Sequence, residues 1–158
     1  MKRGSTLFLK LIVLLIALFV LAWMIVFPQL EGRAANLDLV SIYTDPLIIY
    51  GYVASIPFFV ALFQALKLLG YVERDTIFSQ AAVQSVAIVK YCAVAIVMCI
   101  IGAILYIWLL VQGEDITGPT MMGFVTIFAS VVIATAAGVF QRLLQHAVDI
   151  KSEHDLTV

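Results

Sequence analysis

The sequence predicts an all-α membrane protein: a four-transmembrane-helix bundle, N-in/C-in, with helices three and four extended into the cytoplasm. Three observations predict it. Near-continuous apolar stretches run over about 11–27, 47–66, 91–110 and 121–140. The chain is 64% hydrophobic with a mean hydropathy of +1.13. Its few basic residues collect in alternate connections. A helix rises ~1.5 Å per residue, so about 20 apolar residues cover the ~30 Å hydrocarbon core, whereas a helix in a soluble core needs only an apolar stripe. At 158 residues the chain holds a single integral membrane domain with a tail over 141–158, and no separate soluble domain is expected.

The first stretch follows Lys2 and Arg3, as a signal peptide would. A signal h-region, however, is short and ends at a small-x-small site, whereas this run lasts to Phe27 and closes with Pro28 and Gln29, so a retained span is expected. Asp45-Pro46 suits the start of span two, with Asp as N-cap and proline at the first helical position, where its missing donor costs nothing. Pro57 removes the bond to the carbonyl of Val53 and should kink that helix. Asp75 or Ser79 can cap a lead-in to span three, since Gln80 to Val89 holds no breaker. Pro28 is expected to close span one and Gly113-Glu114-Asp115 span three, while Gly118-Pro119 launches span four across a tight hairpin. After span four, Phe140, Leu143, Leu144, Ala147 and Val148 recur at helical spacing, so the helix continues as an amphipathic extension. That extension can pack on the lead-in to span three, lie along the inner leaflet, or receive a partner.

Threading follows from the basic residues. Lys2, Arg3, Lys10, Lys67, Arg74, Lys90, Arg142 and Lys151 fall on one side and Arg33 alone on the other. The positive-inside rule then puts both termini and the central loop of this multi-pass protein in the cytoplasm, with 28–46 and 111–120 outside. Trp23, Tyr43, Tyr50, Tyr52, Tyr106 and Trp108 would line the outer boundary, and Tyr71 and Tyr91 the inner one.

Within the spans, chemistry is sparse. No Asp, Glu, Arg or His lies inside the four cores, and Lys10 and Lys90 stand at the inner edges, where they can snorkel to headgroups. Gln64 is the deepest strongly polar side chain. Thr126, Ser130, Ala134 and Gly138 recur four apart, a small-residue row that suits helix packing, either within one bundle or across a homodimer seam; Gly51 with Ser55 is a shorter version.

Several functions are disfavoured. Proton-coupled export needs an embedded carboxylate, and a haem bundle needs axial ligands inside, but His146 and His154 both lie in the tail. Cys92 and Cys99 lie seven residues apart on one helix, ~10 Å, too far for a disulfide. His146, Asp149, Glu153 and His154 lack recognised zinc spacing and read as a solvated helix end. Neither a nucleophile with a base nor a glycine-rich phosphate loop appears, so no enzyme, cofactor or metal is expected. A formal net charge of -1 offers no footprint for direct nucleic acid binding.

The opening Met1-Lys2-Arg3-Gly4-Ser5-Thr6-Leu7-Phe8-Leu9-Lys10 and the closing Lys151-Ser152-Glu153-His154-Asp155-Leu156-Thr157-Val158 resemble the ends of a bacterial four-span family, domain of unknown function 2975. His154 departs from the family's usual ending, where Asn is commoner. The resemblance implies a bacterial plasma membrane protein and carries over no catalytic residue. Because members are often encoded beside a small Cro-like helix-turn-helix regulator, it also implies a cytoplasmic regulator protein as partner.

Besides the lipid bilayer, the expected association is a regulatory or sensing contact through Leu143, Leu144, Leu156 and Val158, with a homodimer as the alternative use of the small-residue row. The alternative is a small transport or resistance protein, in which spans two and four frame a path beside Pro57 for a hydrophobic or amphipathic molecule.

Overall fold

The computed structural model describes residues 3–30, 38–110 and 116–157. These form α1 (Arg3–Leu30), α2 (Leu39–Tyr43), α3 (Pro46–Glu73), α4 (Gln80–Leu110) and α5 (Thr117–Leu156), with no strand among the described residues. All but the short α2 are long and apolar enough to cross a membrane. At 40 residues, α5 is ~60 Å long, twice the thickness of the hydrocarbon core.

Each long helix starts and stops for a local reason. Asp45 caps α3, its Oδ1 accepting from the Leu47 N–H at 2.8 Å with Pro46 in the first turn. At the other end, Thr76 N–H bonds to Tyr71 O at 2.9 Å and Asp75 N–H to Val72 O at 3.3 Å. That is a Schellman closure, and Asp75 takes the left-handed position with φ 52°. Ser79 then caps α4, accepting from Ala82 N–H at 3.4 Å on its hydroxyl and 3.1 Å on its carbonyl. Of the two candidate caps, Ser79 starts α4 and Asp75 ends α3. The connection between them is therefore only 74–79, because α3 also runs past the apolar stretch to Glu73.

α3 continues unbroken through Pro57. Pro28, expected to close α1, does not: the helix passes through it to Leu30. Proline forfeits one hydrogen bond, and helix continuity survives if another donor reaches the freed carbonyl. Here that carbonyl is Met24 O, and the Tyr52 hydroxyl donates to it at 2.9 Å. One residue on, the Tyr43 hydroxyl donates to Ile25 O at 2.8 Å while accepting from Gln29 Nε2 at 2.9 Å. The hairpin residues Gly113, Glu114 and Asp115 lie outside the described residues.

The helices pack in chain order. α1 lies on α3, α3 on α4 and α4 on α5, and α1 has no comparable contact with α4 or α5. α3 and α5 share none comparable either, because α4 stands between them. Spans two and four thus do not adjoin to frame a path.

On α5 the residues turned from solvent include Ile127, Ser130, Ala134, Ala137, Gln141 and Leu144, with Gly123 and Val148 extending the series. Their spacing alternates between three and four, which keeps a nearly straight seam on a 3.6-residue helix. A row of strict fours advances 400° per 4 residues and drifts about 40° each step. Thr126 accordingly falls off the seam: it is exposed, and its hydroxyl bonds back to Met122 O at 2.8 Å. Ser130 is buried, and Ala134 and Gly138 are half-buried.

Close approach depends on glycines other than those anticipated. A Cβ on Gly123 would meet Ile104 Cδ1 at 2.8 Å, and one on Gly102 would meet the Tyr50 hydroxyl at 2.8 Å. Around Gly51, by contrast, nothing lies within 4 Å. Gly102 leaves room for Tyr50 to donate to Cys99 O at 2.7 Å, tying α3 to α4. Trp108 Nε1 donates to Thr120 Oγ1 at 3.2 Å and ties α4 to α5. Of the aromatic residues expected at the outer boundary, Tyr43, Tyr50, Tyr52 and Trp108 therefore turn their polar tips to neighbouring helices, while Trp23 and Tyr106 stay exposed.

At the opposite, basic end, Lys10 pairs with Glu73 and joins α1 to α3. Lys90 Nζ donates to Gln141 Oε1 at 2.9 Å and joins α4 to α5. Both lysines expected to snorkel thus find protein partners.

Candidate functional site

Beyond the apolar stretches, three helices meet at the basic end. Gln141 to Leu156 carries α5 another ~24 Å, and Gln80 to Val89 sets α4 back by ~15 Å. They pack as a small head. Ala82, Val83 and Val86 of α4 enclose Leu144 of α5, with Leu68 and Tyr71 of α3, Ile77, Ala137 and Val148 around them. Of the placements open to the amphipathic extension, packing on the lead-in to span three is the one observed. In water this apolar contact gains ~25 cal/mol per Å² buried, which does not apply between helices surrounded by lipid.

The proposed contact residues separate. Leu144 is only 4% exposed and belongs to the head's own core, so it is not available to a partner. Leu143, one residue earlier and about 100° around the helix, is 62% exposed. Leu156 is 88% exposed, and Val158 lies outside the described residues. Two further apolar side chains share the head surface, Phe78 and Ile150, which the hydropathy pattern alone did not single out. A 440 Å³ recess lies between them, walled also by Ala147, Lys151, His154 and Asp155. The signal available in the sequence was Phe78 itself, an aromatic residue in a six-residue turn, just before the Ser79 cap.

A second recess, of 360 Å³, lies between α1 and α3 at the other end. Trp23, Phe27, Leu47, Gly51, Tyr52 and Ser55 are among its walls. Gly51 is exposed there, and Ser55, half-buried, gives its hydroxyl to Tyr52 O at 2.6 Å. Pro28 is buried at the same place. Gln64 is buried farther along α3.

Gln145 Nε2 donates to Asp149 Oδ1 at 2.8 Å and Ser152 Oγ to Asp149 O at 2.8 Å, so the polar groups of α5 largely serve their own helix. Among the described residues no three His, Cys, Asp or Glu side chains come together to hold a metal. Both cysteines are free thiols, half-buried.

Comparison with known proteins adds kinship. A family model described as a protein of unknown function (DUF2975) matches residues 30–158. The chain is 42% identical over 160 residues to the uncharacterized membrane protein YoaS of Bacillus subtilis (strain 168), covering 100% of both. That alignment includes the opening segment, which the family match does not reach. No solved structure matches the chain.

Proposed function

Because the chain belongs to the DUF2975 family, whose function is unknown, we propose from the head's geometry that this non-enzymatic membrane protein regulates or senses through protein contacts at its basic end. In this reading both termini are cytoplasmic in a bacterial plasma membrane, and the partner is a small helix-turn-helix transcription regulator. The single observation that carries it is the head surface: Phe78, Leu143, Ile150 and Leu156 stay 52%, 62%, 67% and 88% exposed although the head has a core of its own. Outside the lipid, such apolar exposure has no solvent that favours it, and it suits a partner surface.

The test is cross-linking of the full-length protein in native membranes, followed by partner identification. A small DNA-binding protein should be captured, and Leu143→Glu with Ile150→Glu should release it while the helical content is kept. Retention of the same partner by that variant would reject this surface.

A second reading, binding of a hydrophobic molecule, draws support from the α1–α3 recess and its aromatic walls. It predicts a ligand-induced rise in melting temperature that Gly51→Leu removes. Absence of any such rise across lipids and membrane-active drugs would dismiss it.

A further inference from the structure

Where α4 and α5 leave their apolar stretches, a 560 Å³ recess opens between them. Lys90 stands on one side, Arg142 and His146 on the other. The Lys90 stem passes Gly138, where a Cβ would lie 3.6 Å from Lys90 Cδ. Its ammonium is held by neutral groups: Gln141 Oε1 at 2.9 Å and the Tyr91 ring, 4.7 Å to the centroid. Neither cancels the charge. The ion pair recorded among the described residues joins Lys10 to Glu73, elsewhere at this end, and the next carboxylate along α5, Asp149, already accepts from Gln145.

Polarity changes along the recess. Thr135, Gly138 and Val139 wall its membrane side, and the Thr135 hydroxyl is turned back to Val131 O at 2.8 Å, so that side offers chiefly carbon. Val139 is 55% exposed. From Thr135 to His146 the helix rises ~16 Å, a length that crosses from acyl chain to headgroup. Cationic donors above an apolar wall at that depth match one ligand chemistry. An arginine offers a planar fork of donors to phosphate oxygens, and basic pockets between transmembrane helices hold anionic headgroups.

We propose that this recess binds the phosphodiester headgroup of an anionic phospholipid, with Lys90, Arg142 and His146 as its donors and Val139 against an acyl chain. A free phosphate would use the same donors but leave the apolar wall without purpose. The site is independent of the partner surface: Leu143 and Ile150 are not among its walls.

The experiment uses the full-length protein in a neutral detergent, with lipid binding followed by native mass spectrometry and melting temperature. Phosphatidylglycerol should bind in preference to phosphatidylcholine and raise the melting temperature. Arg142→Gln should weaken phosphatidylglycerol binding about fivefold, the effect of one basic group near a headgroup. Its lipid-free melting should not change, because Arg142 is exposed. His146→Gln is the second variant, and it should also lower the preference. Lys67→Gln removes a cation at the same end but outside the recess, and should leave binding intact. Equal binding of the two lipids, unchanged affinity in both recess variants, or an equal loss with Lys67→Gln would each overturn the proposal. So would inorganic phosphate displacing the lipid at equal concentration, which would assign the recess to a free anion.

Discussion

Replacing Tyr52 with Phe removes a single hydroxyl, and its effect should depend on what stands at position 28. Pro28 has no N–H, so Met24 O loses its intrahelical donor, and the Tyr52 hydroxyl supplies one from α3 at 2.9 Å. Interhelical side-chain bonds in membrane proteins average ~0.6 kcal/mol with a maximum near ~1.7. Leaving a carbonyl unsatisfied away from water costs ~1–3 kcal/mol. Tyr52→Phe should therefore destabilise by about 1–2 kcal/mol. In a Pro28→Ala background, residue 28 regains an N–H that can bond Met24 O along the helix, and the same substitution should cost under ~0.5 kcal/mol. The coupling, about 1 kcal/mol, is measurable by a double-mutant cycle of reversible unfolding in bicelles. Tyr52→Phe costing the same in both backgrounds, within ~0.3 kcal/mol, would refute the assignment and leave Tyr52 contributing only through its ring.

Other substitutions test the rest of the framework. Leu144→Ala should cost ~2–5 kcal/mol, because it empties a site in the head's core, whereas Leu143→Ala, on the exposed side, should stay within ~0.5 kcal/mol; unfolding midpoints of the two variants check this. Asp75→Gly should stabilise by up to ~1 kcal/mol, since φ 52° suits glycine, and Asp75→Val should destabilise; equal melting temperatures for the pair would contradict the Schellman geometry. Gly102→Ala should displace the Tyr50 hydroxyl from Cys99 O and cost about 1 kcal/mol more than Gly51→Ala, which meets only open space. That difference should vanish when Tyr50 is already Phe.

Much of the candidate site was legible one residue at a time, and some of it was not. The continuation of α5 past the membrane follows from the absence of a breaker between Phe140 and Ile150, a local property. The division of labour between Leu143 and Leu144 is not local: both lie on the same apolar arc, and only the position of Ala82, Val83 and Val86 decides which of them is enclosed. Lys90 is similar. Its place at the end of an apolar run fixes its depth, while its bond to Gln141, 51 positions away, depends on which helix lies alongside.

Hydropathy, capping and length act on each segment alone, so the sequence by itself determined that four long helices form and that Asp45 begins one of them, while it offered both Asp75 and Ser79 for another. Tertiary structure decided which helix lies next to which, and so which faces are spent on packing. Seam choice depends on phase: a row of fours containing Thr126 and a three-four alternation omitting it both look small and regular in sequence, and the two diverge only when α4 lies against one of them. It also decided how Pro28 is accommodated, because a missing donor in α1 can be supplied only by a hydroxyl that the fold brings across from α3.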